Sequence, residues 1–551
     1  MKGLLVAFNA SYVHTNLAVR LLKEVADRPL AVLEMTVNEP EEQCLAKIAL
    51  ERPDFIMYST YIWNWERVRR IGAYIRKANP SVRQFLGGPE VSYDACERMR
   101  DHSWIDGILC GEGELSFNDL LTYIEGDKPP SRVPGLCYRK GKAVYLNAPP
   151  ESGSTLDYLP SVTYPSDMGH KIIYYESMRG CPYACSYCLS STDDDVRYRS
   201  VEDIKRDMRH IFETGTKLIK FVDRSFHIRP ERTKEILSFF IDEAPRDMCI
   251  HFEMNLEHMS DDIIRLMNRA PRGRFQIEAG IQSTNDAVNA RIHRRTDLRK
   301  ISEVAKRIDR EKIHTHVDLI VGLPGEGRAS FLNGFDEVVP IGAKRIQIGF
   351  LKLLPGTELR ARAEEFGIVY DSEPPYEVIR TPDLSAREVL TLKYFATVVE
   401  TFYDEDAFRE TRRLLSERDV KLSRLFYAMA RELRDNVDEA PLRGQNGKYR
   451  FFYDALKKRG WLDSELYAAF KKDFYMCEDR YIGRAIDVDD PEVDREAVVA
   501  FIKSHPEFIE TADPLKASKN VRGIVLNDTI RYLYYERGKC VNYYDDRRND
   551  G

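Results

Sequence analysis

The stretch Arg179-Gly180-Cys181-Pro182-Tyr183-Ala184-Cys185-Ser186-Tyr187-Cys188 decides how this chain is read. Three of the ten cysteines fall within eight residues, at spacings of four and three. The other seven (44, 96, 110, 137, 249, 477 and 540) follow no pattern and are expected to be free thiols. Soft thiolates suit iron–sulfur clusters, and a cubane of four irons has four ligand positions. This run supplies three, so one iron is left for a small chelating molecule. Two other readings compete. Structural zinc takes four protein ligands, typically from paired knuckles, and no second knuckle or nearby histidine pair exists. Ordinary core cysteines seldom crowd onto a loop flanked by glycine and proline.

Outward from this loop, apolar runs alternate with charged amphipathic stretches. After 171–180 come 217–223, 248–255, 274–282, 313–322 and 345–353. Six strands with intervening helices predict a partial six-stranded β/α barrel over 171–374, in which loops after the strands carry chemistry. Upstream, runs at 3–8, 30–37, 55–60, 83–88 and 106–111 alternate with segments of helical spacing such as 64–79. This predicts an α/β, doubly wound, Rossmann-like domain over 1–127, with ligands outside the carboxyl ends of its strands. Residues 128–170 are rich in Pro, Gly and Ser and read as a linker, with a candidate hairpin at 133–146. Residues 375–551 are dominated by charged helical patterns and read as a mostly helical domain. The aromatic run 532–544 reads as packing.

The C-x3-C-x2-C spacing, with Tyr187 before the last cysteine, resembles the radical S-adenosylmethionine superfamily. The resemblance implies that Cys181, Cys185 and Cys188 hold a [4Fe-4S] cluster, and that Tyr187 lies near the adenine of S-adenosylmethionine. The segment 276–283 resembles the fourth-strand motif of that family, which would bring Glu278 and Gln282 to the cofactor. The segment 317–326 resembles its Gly-rich fifth-strand motif, with Gly322 and Gly325 admitting a ligand close to the backbone. Asp223 stands where the cofactor's amino group would be met. In 283–297, which resembles the helix after the fourth strand, Arg294 is the candidate for its carboxylate.

The loops GGPE (87–90) and GEGE (111–114) resemble those of the cobalamin-binding domain fused to many such enzymes. By that resemblance Ser59, Thr60, Gly87, Gly88, Pro89, Gly111, Glu112 and Gly113 are the candidate cobalamin contacts. The alternative is ordinary strand–helix turns in which Glu112 or Glu114 caps a helix. The Asp-x-His-x-x-Gly motif that ligates cobalt is absent, and His14 reads as a loop contact rather than an axial ligand. The carboxy-terminal region resembles the accessory domain of one uncharacterised branch of these proteins.

The formal charge of −6 offers no support for non-specific nucleic-acid or membrane-surface binding. No apolar stretch approaches a membrane span, and the first residues do not form a signal peptide, so a cytoplasmic location is expected. The resemblance implies an electron donor such as flavodoxin or ferredoxin, and a substrate that no residue pattern names. Methyl transfer to an unactivated carbon or phosphorus is the leading expectation. A cobalamin-dependent cyclisation or rearrangement, a methylthiotransferase-like reaction and a non-catalytic cofactor-binding sensor are the alternatives.

Overall fold

The computed structural model describes residues 1–193, 195–404, 407–437, 439–477, 493–509, 513–526, 529–536 and 539–546. They divide into two compact units, Met1–Gly327 with Gly349–Ser385, and Arg328–Ile348 with Ala386–Gly551.

The first unit opens with a seven-stranded sheet in the order β2-β1-β3-β4-β5-β6-β7. Its strands are β1 (Gly3–Asn9), β2 (Leu30–Thr36), β3 (Phe55–Ser59), β4 (Arg83–Gly87), β5 (Gly107–Leu109), β6 (Leu136–Lys140) and β7 (Ala143–Leu146). The first five pair in parallel, as expected for a doubly wound sheet. Every residue of β1 and β3 is buried, which follows from apolar cores on both faces. Trp65, Ile71 and Trp104 belong to one core, and Phe117, Leu120 and Leu121 to the other.

The hairpin forms, but not as part of a free linker. Strand β6 pairs antiparallel with β5, with Ile108 opposite Cys137, so β6 and β7 complete the amino-terminal sheet. The reason is the edge: β5 would otherwise expose an unpaired strand rim, which the hairpin covers.

The second sheet of this unit begins at β8 (Ile172–Tyr175). A two-residue strand, β9 (Met178–Arg179), pairs with β10 (Arg197–Tyr198) and brackets the cysteine loop. Then come β11 (Leu218–Phe221), β12 (Cys249–Glu253), β13 (Phe275–Gln282), β14 (His314–Val321) and β15 (Arg345–Phe350). The order is β15-β14-β13-β12-β11-β8, an open sheet of six strands, parallel in every described pairing from β8 to β14. Its helices start on side-chain caps where the sequence offers them: Ser200 accepts from Asp203 N, Ser260 from Ile263 N and Asn285 from Val288 N. A small antiparallel pair, β16 (Val369–Tyr370) and β17 (Val378–Arg380), follows.

The second unit is helical through 386–402, 409–417, 422–436, 444–458, 464–477 and 495–504. It closes with an antiparallel sheet, β18 (Val521–Leu526), β19 (Thr529–Glu536) and β20 (Lys539–Asp546). The aromatic run therefore lies in strands of an otherwise helical region. Its described side chains pack: the Tyr532 ring stacks on Phe501, with centroids 3.6 Å apart.

Candidate active site

The three cysteines sit on the loop after β9. Cys181 and Cys185 are buried and Cys188 is partly open. The loop turns on itself, with Cys188 N donating to Cys185 O at 3.0 Å. Arg294 Nη1 lies 3.6 Å from Cys185 Sγ, and Ser225 Oγ lies 4.0 Å from Cys181 Sγ. Burial, joined by the neighbouring thiols, pushes the Cys181 thiol up, a repulsion that bound iron would relieve. Among the described residues, no group of three or more His, Cys, Asp or Glu converges on one metal ion. Three soft thiols on one loop are the donor set of a [4Fe-4S] cubane with one iron left open. They fit such a cluster and do not build a four-ligand zinc site.

Two expected cofactor contacts gather at this loop. Arg294 reaches Cys185 and donates through Nη2 to Gly280 O, bridging the loop to β13. Tyr187 packs on the apolar cluster that contains Leu323, the residue after Gly322. Gln282 has φ 69°, a left-handed backbone that is unusual for a residue with a side chain, at an irregularity in the β13–β14 register. Glu278 faces His251, with Nε2 to Oε2 at 3.2 Å, and that pairing holds its carboxyl below the usual range.

Three further candidates have partners within the protein. Asp223 is fully buried and accepts hydrogen bonds from Ser177 N at 2.7 Å, Met178 N at 3.1 Å and Ser177 Oγ. These bonds brace the strand entering the cysteine loop. Burial pushes its carboxyl up to about 6, against those hydrogen bonds. Gly322 and Gly325 do adopt left-handed backbones, but the space is filled from within the protein. A Cβ on Gly322 would meet Val378 Cγ1 at 2.7 Å, and one on Gly325 would overlap the Arg291 guanidinium.

On the amino-terminal side, a cavity of about 820 Å³ opens at the carboxyl ends of β3, β4 and β5. Ser59, Gly87, Gly88, Pro89, Gly111, Glu112 and Gly113 line it, as do Leu5 and Val19 from the sheet and its first helix. Gly88 has φ 110°, and a Cβ there would sit 2.5 Å from Thr60 O, so the GGP turn requires glycine. At Gly111 the corresponding space is open. These small residues leave a broad floor on which a flat macrocycle fits. Thr60 is fully buried with its hydroxyl on Tyr58 O, and is not among the residues lining the cavity. His14 bonds the Tyr174 hydroxyl through Nδ1 at 2.7 Å, a contact residue as expected. No histidine is among the described residues that line the cavity.

The far wall of this cavity was not foreseen. It is built from Glu176, Met178, Arg179 and Gly180 before the first cysteine, Leu189, Ser190, Thr192 and Asp193 after the last, and Arg224. Arg179 donates to Glu176 at 2.7 Å and pairs with Glu112 at 2.9 Å and Glu114 at 3.1 Å. Glu112 also holds Arg197 and accepts from Tyr158 at 2.6 Å. Neither acid of the GEGE loop caps the helix after it: Glu112 makes no capping bond, and both carboxylates turn to Arg179. Burial alone would raise the Glu112 carboxyl, but Arg197, Arg179 and Tyr158 outweigh it and bring it to about 2. Tyr61, two residues past the end of β3, also lines the cavity and stacks on Trp63 at 4.3 Å. The aromatic-rich loop at 60–64 was its only signal in the sequence.

Comparison with known proteins matches this division of labour. Residues 175–337 match the Radical SAM superfamily, and residues 3–121 match the B12 binding domain. The chain thus carries a radical SAM domain and a B12-binding domain. Its residues 364–524 match a protein family of unknown function, DUF4080. The chain is 26% identical over 339 residues to "Cobalamin-dependent radical SAM methyltransferase TokK" of Streptomyces tokunonensis, covering 57% of this chain and 50% of that one. It is 23% identical over 319 residues to "Anaerobic magnesium-protoporphyrin IX monomethyl ester cyclase" of Rubrivivax gelatinosus, covering 53% and 55%. The chain spans about half the length of these curated relatives. Among solved structures, the fold is similar to the methyltransferase TsrM from Kitasatospora setae, with a TM-score of 0.58, 16% identity and coverage of 68% and 79%. It is also similar to the cobalamin-dependent radical enzyme OxsB, with a TM-score of 0.60, 13% identity and coverage of 86% and 83%. Among the described residues, no helix is long and apolar enough to cross a membrane.

Proposed function

We propose that this protein is a cobalamin-dependent methyltransferase acting on an unactivated centre. One observation carries the reading: the B12-binding loops and both flanks of the cysteine loop line a single cavity. A substrate there would meet both cofactors at once. When bound, the cluster with S-adenosylmethionine supplies a 5′-deoxyadenosyl radical, and cobalamin supplies a transferable methyl group. Cys181, Cys185 and Cys188 hold the cluster in this reading. Arg294 and Gln282 border the S-adenosylmethionine position, and Glu278 forms the polar wall beneath it. Gly87, Gly88, Gly111 and Gly113 leave the floor for the corrin, and Arg179 with its carboxylates closes the cavity's far side. A one-electron donor of the flavodoxin or ferredoxin kind and a cytoplasmic location belong to the same reading.

The test is anaerobic reconstitution with iron, sulfide and cobalamin, followed by S-adenosylmethionine and reductant. The expected products are methylcobalamin, S-adenosylhomocysteine and 5′-deoxyadenosine. Deoxyadenosine without S-adenosylhomocysteine would leave a radical enzyme and overturn methyl transfer.

A further inference from the structure

The two halves of the cavity meet through one side chain. Arg179 lies two residues before the first cysteine, and its guanidinium is held by three carboxylates. One of them, Glu176, belongs to the same limb of the cysteine loop. The other two, Glu112 and Glu114, flank Gly113 in the loop that floors the cavity. Arg197, just past the cysteine loop and 1% exposed, takes the other side of Glu112 and is itself held by Asp193 at 2.8 Å. The set thus has four carboxylates and two guanidiniums, a local excess of negative charge. It tolerates loss of one acid far better than loss of Arg179. The planar fork of arginine can serve three acids at once, which an ammonium cannot do in the same geometry.

We infer that Arg179 is a positioning residue that makes cobalamin binding and cluster binding cooperative. The inference rests on the cofactor reading given above. Cys181, Cys185 and Cys188 lie on one segment of eight residues, which a bound cluster would tie together through its thiols. A bound cluster fixes that segment, which fixes Arg179, which in turn fixes the Gly111–Glu114 floor. Whichever cofactor binds second meets a loop already ordered, so its ordering cost falls. Linkage then requires that each cofactor tighten the other by the same factor.

The experiment titrates hydroxocobalamin into the full-length protein under anaerobic conditions, with and without the reconstituted cluster. Bound corrinoid is read by absorbance after gel filtration, and by quenching of tryptophan fluorescence, since Trp63 stacks on cavity-lining Tyr61. The wild type should bind cobalamin at least about fivefold more tightly with the cluster than without it. Arg179→Gln should abolish that difference, and Arg179→Lys should restore part of it. Glu114→Gln, which leaves two of the three acids, should keep most of it and guards against misfolding of the arginine variants. Equal affinity with and without the cluster in the wild type overturns the coupling, as does full coupling in Arg179→Gln. Failure to bind cobalamin in either state overturns the cofactor reading itself.

Discussion

The two large sheets of the first unit treat their side chains in opposite ways. In β1 and β3 every residue is buried, because helices and apolar cores cover both faces. In β13 and β14 burial alternates strictly. Phe275, Ile277, Ala279 and Ile281 are buried, while Gln276, Glu278, Gly280 and Gln282 are partly open. The first sheet therefore has no room for chemistry on its faces and must place its site at the strand ends, in loops rich in glycine. The second has one dry face and one polar face. Lys220 lies opposite His251 and Glu278 opposite His316 in neighbouring strands, and His251 reaches Glu278 at 3.2 Å.

The largest expected effect tests that alternation directly. Ile277 is fully buried, and Ile277→Ala should cost about 2–5 kcal/mol through lost burial and an unfilled cavity. Its neighbour Gln276 hydrogen-bonds His316 at 3.0 Å on the polar face, and Gln276→Ala should cost about 1 kcal/mol. Urea unfolding of the first unit's transition separates the two. Equal costs would mean that β13 is packed on both faces like β1, and the contrast between the sheets would fail.

A smaller effect probes the glycine edge of the first sheet. Gly88→Ala forces a Cβ to 2.5 Å from Thr60 O in a left-handed backbone, and should destabilise by about 1–3 kcal/mol. Gly111→Ala shares the left-handed backbone, at φ 79°, but meets no atom within 4 Å, and should cost only about 1 kcal/mol. Its consequence should appear instead as weaker cobalamin uptake, because the new methyl would occupy the cavity floor. Thermal unfolding and a cobalamin titration of both variants give the ordering. A Gly111→Ala protein that binds cobalamin as well as the wild type would show that the corrin does not rest there.

What could be read from the sequence follows from this contrast. Strand identity was legible in both sheets because the apolar runs are long and bounded by turns. The cysteine loop was legible because thiols in that spacing have few other uses. The antiparallel hairpin on β5 was legible only as a hairpin, since its partner strand lies 27 residues upstream and no local pattern marks it. At Gly322 and Gly325 the residue type revealed the backbone but not the neighbours, Val378 and Arg291, that a Cβ there would meet. At Asp223 the same limit holds, because a carboxylate's sequence position does not say whether Ser177 will donate to it. Arg179 carries no motif of its own, and its role exists only through Glu112 and Glu114, 65 or more residues away.

Acidification sharpens the comparison once more, through two carboxylates with opposite environments. Glu112 faces the cavity, and its partners bring it to about 2, below the ordinary value of 4.5. Its ionised form is favoured by folding, so its contribution is complete above about pH 4.5 and fades as pH falls toward 2. Asp223 is sealed under the second sheet, and burial raises it from 3.8 to about 6. The folded state takes up that proton first, so its contribution moves the other way: stability grows as pH falls through 6. Glu112→Gln removes the first dependence and leaves the second. The wild type should lose about 1–2 kcal/mol more than Glu112→Gln between pH 5 and pH 3, and the two should run parallel between pH 7 and pH 5. Urea unfolding at the three pH values measures both differences. A wild type that tracks the variant down to pH 3 would mean that Arg179 and Arg197 do not hold Glu112 in solution, and that the wall of the cavity is looser than the sheets that carry it.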